Sequence, residues 1–457
     1  MDFFKMTYRS AIDYVNGFID FERLPEPRLK TSAEDIERFR GLLQSLGSPH
    51  LQYPTLHIVG TKGKGSTAAI LASILTTAGY KVGLYTSPHL LTVRERIQVD
   101  GKPVGRGDFA GCIERIRRQY SECDAAHALA FRTVFEHLTA AGFLYFADRK
   151  VNIAVVEAGL GAKLDATIVI EPILSIITPI ALDHTQVLGG TVREIASDKA
   201  CAIKANIPVV SARQPEDVAR EIERRAAEMN SRLFYAEGAD RFEVLSASLK
   251  GTRFNLKDRP DNTSLFLPLA GRFQLDNLSV VLMALGVLER LGFKVEAGDI
   301  RRGVRRTRWP GRLQSLPGEP PILLDGAHNT LAAVTLVRSL LEIAPDRRWR
   351  IVYSSILGKP AAEMLKALAL IARRFYLARL QFPKGLKEEA LRAAAEEAGV
   401  AAEFCRNVPA SIIAAKAACR ENEGVLITGS LYLVAEALRW WRGFPAPPAD
   451  GRIDSAR

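Results

Sequence analysis

A chain of 457 residues is longer than one hydrophobic core usually serves, so two or three domains are expected. Hydrophobic residues at 47% and charged residues at 25% are the balance of a globular protein and argue against a disordered or low-complexity chain. A net charge of +11, from 62 Lys and Arg against 51 Asp and Glu, admits nucleic acid, an anionic small substrate or plain solubility.

From about residue 56, short β-rich apolar runs alternate with helical stretches. LHIVG (56–60) predicts a strand, STAAILASILTTAG (66–79) a helix ending at Gly79, and KVGLYTS (81–87) a second strand. Further strands are expected at VNIAVVEAG (151–159), ILSIITPI (173–180) and IPVVS (207–211), with helices between them. Runs this uniformly apolar are buried on both faces, so the sheet is expected to be mainly parallel and covered by helices.

The texture changes near 305–321, where arginines lead into WPGR and LPGEPP. A second alternating series follows: PILLDG, a helix to about 343, RWRIVYSS, a helix from Pro360, RFYLARL, a helix near 386–397, and GVLITGS with a last helix. The expected boundary divides residues 1–306 from a smaller Rossmann-like α/β domain, 307–457. Ligands commonly seat in a cleft between two such domains.

Between the first strand and helix lies GTKGKGST, residues 60–67. A Walker A loop requires glycine six residues before its lysine and Ser or Thr directly after it. Here position 58 is Ile, and Gly65 separates Lys64 from Ser66. The context of strand, glycine-rich turn and helix is still that of a phosphate loop: glycines let backbone N–H groups approach phosphate, and the helix N-terminus favours negative charge. An unliganded glycine turn is the plainer alternative.

The six arginines of RRGVRRTRWPGR (301–312) are not interleaved with aromatics as a single-strand-binding platform would be, so most are expected to be solvated and no nucleic-acid partner is expected. Cys112, Cys123, Cys201, Cys405 and Cys419 are scattered without CxxC spacing, which disfavours a disulfide framework or structural zinc and fits a reducing cytoplasm. MDFFKMTYRS does not read as a signal peptide, and no apolar run is long enough to span a membrane.

Downstream of the loop come TSPHL (86–90), RERI (94–97), VVEAGLGAKLDAT (155–167), ALDHTQVLGGT (181–191) and SDKACAIK (197–204). GRFQLDN (271–277), RWPGRLQ (308–314), LDGAHN (324–329) and TGSLYLVAEA (428–437) complete the series. Each motif alone is weak, but nine in this order are specific. From about residue 30 onward the chain resembles the folylpolyglutamate synthase/dihydrofolate synthase family, within the Mur ligase superfamily. The resemblance implies a P-loop ATPase domain of Mur-ligase type followed by the Rossmann-like domain. It also implies an ATP-dependent ligase that joins L-glutamate to a folate through an acyl phosphate, with dihydropteroate as a further candidate acyl substrate.

What it implies for residues follows position by position. Gly60, Thr61, Gly63, Lys64, Gly65, Ser66 and Thr67 match the phosphate loop, with Lys64 on the phosphates and Ser66 and Thr67 capping or opening the helix. Ser87, Glu157 and His184 match the family's magnesium ligands, with two Mg²⁺ expected. Lys199 matches a lysine the family carries carbamylated, able to support a second metal, and Lys204 is its neighbour and competitor. Lys64, His184 and Lys199 are the expected catalytic set. Asn277, preceded by Gln274, is placed near the nucleotide, Arg312 on ATP phosphate, and Asp325 and His328 at the cleft.

Ordinary readings stand beside these: a hydrogen-bonded structural His184, since Mg²⁺ prefers oxygen; a surface Lys199; an Asn277 cap with a surface amide at Gln274; and a turn-and-cap pair at Asp325 and His328. The family's usual pattern is broken at Lys62 (Asn), Ala162 (Gly), Ile168 (Asn), Phe273 (His) and Thr330 (Pro). The family further suggests a cytoplasmic monomer with no membrane partner. Two competing readings remain, a Mur-like ligase on a non-folate acyl substrate and a nucleotide-binding homologue without turnover.

Overall fold

Three sheets organise the computed structural model, which describes residues 6–23, 31–122, 133–257 and 264–445. Cys123 lies outside them. The first sheet is built from β1 (Thr55–Val59), β2 (Val82–Tyr85), β3 (Ile97–Val99), β4 (Lys102–Pro103), β5 (Ile153–Glu157), β6 (Leu174–Ile177), β7 (Val209–Ser211) and β8 (Leu233–Tyr235). Their order across the sheet is β4-β3-β2-β5-β1-β6-β7-β8. From β2 to β8 the pairing is parallel, as expected from the apolar runs, whereas β3 and β4 form an antiparallel edge.

Both faces of this sheet are covered. Along β5, Ile153 and Val155 enter a core with Ile58, Ile70 and Ile74, while Ala154 and Val156 enter another with Tyr85, Phe109 and Phe143. Alternate side chains thus go to opposite cores, the period-2 consequence of strand geometry. The helix Lys64–Thr77 is apolar nearly all round and supplies nine buried residues, so it lies inside the molecule rather than on its surface.

A small antiparallel sheet follows, ordered β11-β10-β9, from β9 (Phe242–Ser248), β10 (Gly251–Leu256) and β11 (Leu265–Leu267). It was not foreseen. Six of the seven residues of β9 are exposed, so the strand carries no apolar alternation to read. The helices Tyr8–Asn16 and Ala33–Ser45, each closed by a capping box at Thr7 and Ser32, were also unanticipated.

The third sheet comprises β12 (Gln314–Leu316), β13 (Ile322–Asp325), β14 (Arg348–Tyr353), β15 (Ala372–Ala378), β16 (Ala402–Cys405) and β17 (Glu423–Thr428), ordered β12-β13-β17-β14-β15-β16. Only β12 runs antiparallel to its neighbour. The carboxyl ends of the parallel strands are where an open α/β sheet collects its ligands. The carboxyl-end loops of β1, β6, β13 and β14 meet at one aspartate, described next. No helix among the described residues is long and apolar enough to cross a membrane.

Candidate active site

The loop after β1 is fixed by backbone before any ligand is considered. The N–H groups of Thr61 and Lys62 donate to Pro179 O at 3.0 and 3.1 Å, and Thr61 Oγ1 donates to Ala181 O at 3.1 Å. Gly63 sits at φ 82° as the N-cap of the helix, a left-handed conformation that a side chain resists. A Cβ there would come within 2.2 Å of Asn277 Oδ1, and one on Gly65 within 2.4 Å of the Trp309 ring. The two glycines therefore permit close approach as well as the turn.

The helix opens at Lys64, and no side chain caps it. Ser66 and Thr67 are buried in its first turn, two and three residues past its start, which corrects the expectation that they cap or open it, and Thr67 Oγ1 has no hydrogen-bond partner among the described residues. Asn277 and Gln274 lie buried in the first turn of the helix Phe273–Arg290, with Asn277 Nδ2 donating to Gln274 Oε1 at 2.9 Å. Neither is a surface amide. Gln274 Nε2 is a buried donor without a partner among the described residues.

Glu157 ends β5, buried, with Oε2 accepting the Ser87 N–H at 3.2 Å. Burial pushes its carboxyl up to about 6, against the pull of Lys64. Lys199 is also buried, 3% exposed, in the helix Val192–Ala200. Burial and then the charge of Lys64 bring its amine down to about 7. Lys204 is committed elsewhere, donating from Nζ to Ile168 O at 3.1 Å. The surface reading of Lys199 is thereby corrected.

His184 sits at φ 51° with its side chain 46% exposed, and the partial burial of its ring together with Lys359 lowers it to about 4. Among the described residues no three His, Cys, Asp or Glu side chains converge as a metal cage. The structure thus brings the Ser87 backbone to Glu157 and sets Lys64 in the field of Glu157, Lys199 and His184.

Asp183, inside the quoted ALDHT, is the residue the sequence reading passed over. Its carboxylate meets Lys62 Nζ at 2.9 Å, Lys359 Nζ at 2.9 Å and Asn329 Nδ2 at 2.8 Å. His328 Nε2 stands 3.7 Å away, too long for a direct hydrogen bond. Burial opposes ionisation, but His328, Lys62 and Lys359 together hold Asp183 well below the usual carboxylate range. Lys62 is accordingly no stray charge beside Lys64, because it ties the phosphate loop to Asp183.

Asn329, rather than His328, caps the next helix, accepting the Ala332 N–H at 3.0 Å; His328 instead sets Nδ1 2.9 Å from Gly326 O. Asp325 ends β13 fully engaged, accepting the N–H groups of Leu313 and Ala327 at 2.9 Å each, and burial raises its carboxyl against the pull of Arg312. It acts here as the brace of the Gly311–Arg312 turn. Of the altered positions, Ala162 and Ile168 are both buried in hydrophobic cores.

The Mur ligase middle-domain model matches residues 58–285, and the Mur ligase glutamate ligase domain model matches 311–431. A dihydrofolate synthase/folylpolyglutamate synthase of Bacillus subtilis is 33% identical over 436 residues, covering 94% of this chain and 98% of the relative. A folylpolyglutamate synthase of Mycobacterium tuberculosis, solved with ADP and AMPPCP, superposes with a TM-score of 0.81 at 30% identity, over 90% of this chain and 96% of that one. The Escherichia coli protein FolC in complex with DHPP and ADP gives 0.80 at 26% identity, over 96% and 98%. Matched almost end to end in sequence and in structure, the chain belongs to the folylpolyglutamate synthase/dihydrofolate synthase family of Mur ligases and is an ATP-dependent ligase.

Proposed function

We infer that the chain adds L-glutamate to the carboxylate of a folate, with dihydropteroate as a second acyl substrate for direct test. The carrying observation is the setting of Lys64: a half-buried ammonium on a glycine loop, facing one buried carboxylate at Glu157 and one buried amine at Lys199. A carboxylate cannot expel oxide, so it must first be activated. Its oxygen attacks the γ-phosphorus, the bond to the β-phosphate oxygen breaks, and ADP leaves. The amine of glutamate then attacks the acyl carbon, a proton is lost from nitrogen, and inorganic phosphate departs from the tetrahedral intermediate. Lys64 and Arg312 neutralise phosphate charge, and closure of the two sheets' carboxyl edges over the site keeps water from the acyl phosphate.

The donor chemistry at Glu157 and Ser87 fits Mg²⁺: a buried carboxylate receiving one backbone N–H, next to a hydroxyl, with the neutral imidazole of His184 as the less usual member. Mg²⁺, when bound, would screen the triphosphate charge. An amine brought down to about 7 is substantially neutral in neutral solution, which supports Lys199 as an acceptor of CO₂ that becomes an anionic carbamate. For glutamate, support comes from Ser354 Oγ and Thr428 Oγ1, buried hydroxyls without partners among the described residues, at the carboxyl ends of the adjacent strands β14 and β17. The division near 306–307 is supported by the helix Ala297–Arg306 packing on the first sheet's helix while Gln314 already belongs to the third sheet. A cytoplasmic monomer is the accompanying proposal.

The test is ADP release by the purified protein with glutamate and, in turn, tetrahydrofolate, dihydropteroate or a peptidoglycan precursor. Glutamate-dependent release with a pterin substrate is expected. Release only with the precursor, or ATP binding without any release, replaces this reading with one of its two competitors.

A further inference from the structure

His57, in the middle of β1 and three residues before Gly60, is fully buried. Its Nε2 lies 2.9 Å from Thr167 Oγ1, and that hydroxyl lies 2.5 Å from Asp165 Oδ1. Asp165 is saturated. Oδ1 also accepts the Thr167 N–H at 2.9 Å, and Oδ2 accepts the N–H groups of Gly159 and Leu160 at 3.0 and 2.9 Å. Four donors take up the four lone-pair directions of one carboxylate, which keeps it an acceptor although burial raises its pKa.

That count fixes the direction of each bond. The Thr167 hydroxyl gives its one proton to Asp165, so from His57 it can only accept, and Nε2 must carry the hydrogen. His57 is then a neutral donor, in keeping with a ring that burial, followed by the charge of Lys204, brings down to about 3. A cap alone explains less than this. Asp165 caps the short turn Ala166–Val169 through the Thr167 N–H, a role that calls for neither the Thr167 hydroxyl nor a histidine behind it. The remaining bonds hold the turn after Glu157. Gly159 and Leu160 are tied to Asp165, and the Ala162 N–H donates to Asp198 Oδ2 at 2.7 Å, beside Lys199. One short turn thus spans from the Glu157 carboxylate to the helix that carries the Lys199 amine.

We propose that His57 is a positioning residue of this site: by orienting Thr167 it fixes Asp165, and through Asp165 the turn that keeps Glu157 and Lys199 at their working separation. β1 and β5 already pair in register, His57 opposite Val156 and Ile58 opposite Glu157, so the strands need no further tie. The turn beyond them does, because the N–H groups of Gly159, Leu160 and Ala162 are met by side chains and not by a neighbouring strand. The proposal deepens the ligase reading above and rests on it only for its kinetic consequence.

The experiment compares H57F and T167V, which delete the donor and the hydroxyl at similar volume, with H57Q, whose amide nitrogen reaches the place of Nε2, and T167S. Glutamate-dependent ADP release with tetrahydrofolate is expressed per ATP-analogue binding site from calorimetry, so that unfolded protein does not count. H57F and T167V should each lose about tenfold in kcat with little change in the KM for ATP. H57Q and T167S should recover most of that loss, and H57F/T167V should be no worse than T167V. Hydrogen exchange should quicken in the 158–163 peptide of H57F and T167V while β1 stays protected. Nitrogen NMR of the histidine-labelled wild type, which needs no variant to fold, should show His57 protonated at Nε2 alone from about pH 5 to about pH 8. Protonation at Nδ1, additive losses in the double variant, or a loss that H57Q shares in full with H57F overturns the proposal. If H57F does not fold, T167V against T167S and the wild-type tautomer decide in its place. Normal kcat per site in H57F and T167V removes the positioning role and leaves the folate reading standing. A wild type that turns over no folate, with tautomer and local exchange as expected, defeats the folate reading and leaves the relay standing.

Discussion

Replacing Asp183 by Asn removes one negative charge and almost no volume from between Lys62 and Lys359. Each lysine lies 2.9 Å from the carboxylate, and the side chains of Lys62, Lys359 and Asp183 are 25%, 12% and 8% exposed. At an effective dielectric constant of about 20, one such pair is worth roughly 5 kcal/mol gross, most of it offset by desolvation. Breaking a buried pair costs about 3–5 kcal/mol, and because asparagine keeps hydrogen bonds we take about 3 kcal/mol. That moves the ligand-free balance between closed and open arrangements by about two orders of magnitude. Small-angle scattering should then show D183N expanded without ligands and compacting with ATP and folate, while its KM for ATP rises. K359M, which leaves the phosphate loop untouched, should reproduce the expansion, and K62M should do so more weakly because its ammonium is the more exposed. A D183N profile that superposes on the ligand-free wild type, with an unchanged KM for ATP, refutes the reasoning.

Lys64→Ala should abolish glutamate-dependent ADP release while the thermal midpoint stays within a few degrees; near-normal turnover rules out its phosphate role. Lys199→Ala should be inactive and regain activity with a short-chain carboxylate, and an intact mass of Lys199-containing peptide after CO₂ trapping would count against the carbamate. Gly63→Ala places a Cβ 2.2 Å from Asn277 Oδ1 at φ 82°, so the KM for ATP should rise at least about tenfold with about 1 kcal/mol lost from stability; unchanged ATP affinity contradicts the close-approach argument. Glu436 is buried, accepts the Gln381 N–H at 2.6 Å and is pushed by burial from 4.5 to about 7. Its folded pKa is raised, so its contribution is fully present below pH 4.5 and lost as pH rises through about 7. Wild type should therefore lose up to about 3 kcal/mol against E436Q between pH 4 and pH 8, read from denaturant midpoints, and parallel pH curves disprove the burial effect.

Local pattern made the parallel strands and the phosphate-loop helix legible, because strands buried on both faces must be apolar without interruption. The β9–β11 sheet was not legible for the opposite reason: its first strand lies exposed and carries no alternation. Lys62 had no sequence account because its partner lies 121 residues away, beyond the reach of any periodicity. Asp183 lies inside ALDHT, but what distinguishes it from an ordinary turn aspartate is its contact with Lys62, Asn329 and Lys359, all far away in sequence. Lys199 and Lys204 looked interchangeable until burial separated them, one amine enclosed and the other bound to a carbonyl. Arg306 and Arg308 are exposed, as solvated residues should be.

The site carries more positive charge than its own carboxylates balance. Lys62, Lys64, Lys199, Lys359 and Arg312 gather around Asp183 and Glu157, and the burden falls differently on each. Lys62 and Lys359 share one aspartate. Lys199, buried and without an ion pair among the described residues, responds instead by a lowered pKa, to which burial contributes first and Lys64 second, against the pull of Asp198. Such an arrangement repels itself until a polyanion arrives, and on the proposed reading a triphosphate seated at Lys64 relieves that repulsion. The loop that meets the phosphates is also the loop held through Lys62 to Asp183, and Asp183 is held through Lys359 and Asn329 to the third sheet. On the proposed reading, nucleotide charge and domain closure are therefore coupled through one carboxylate, so that ATP binding at Lys64 and the joining of the two sheets through Asp183 favour each other.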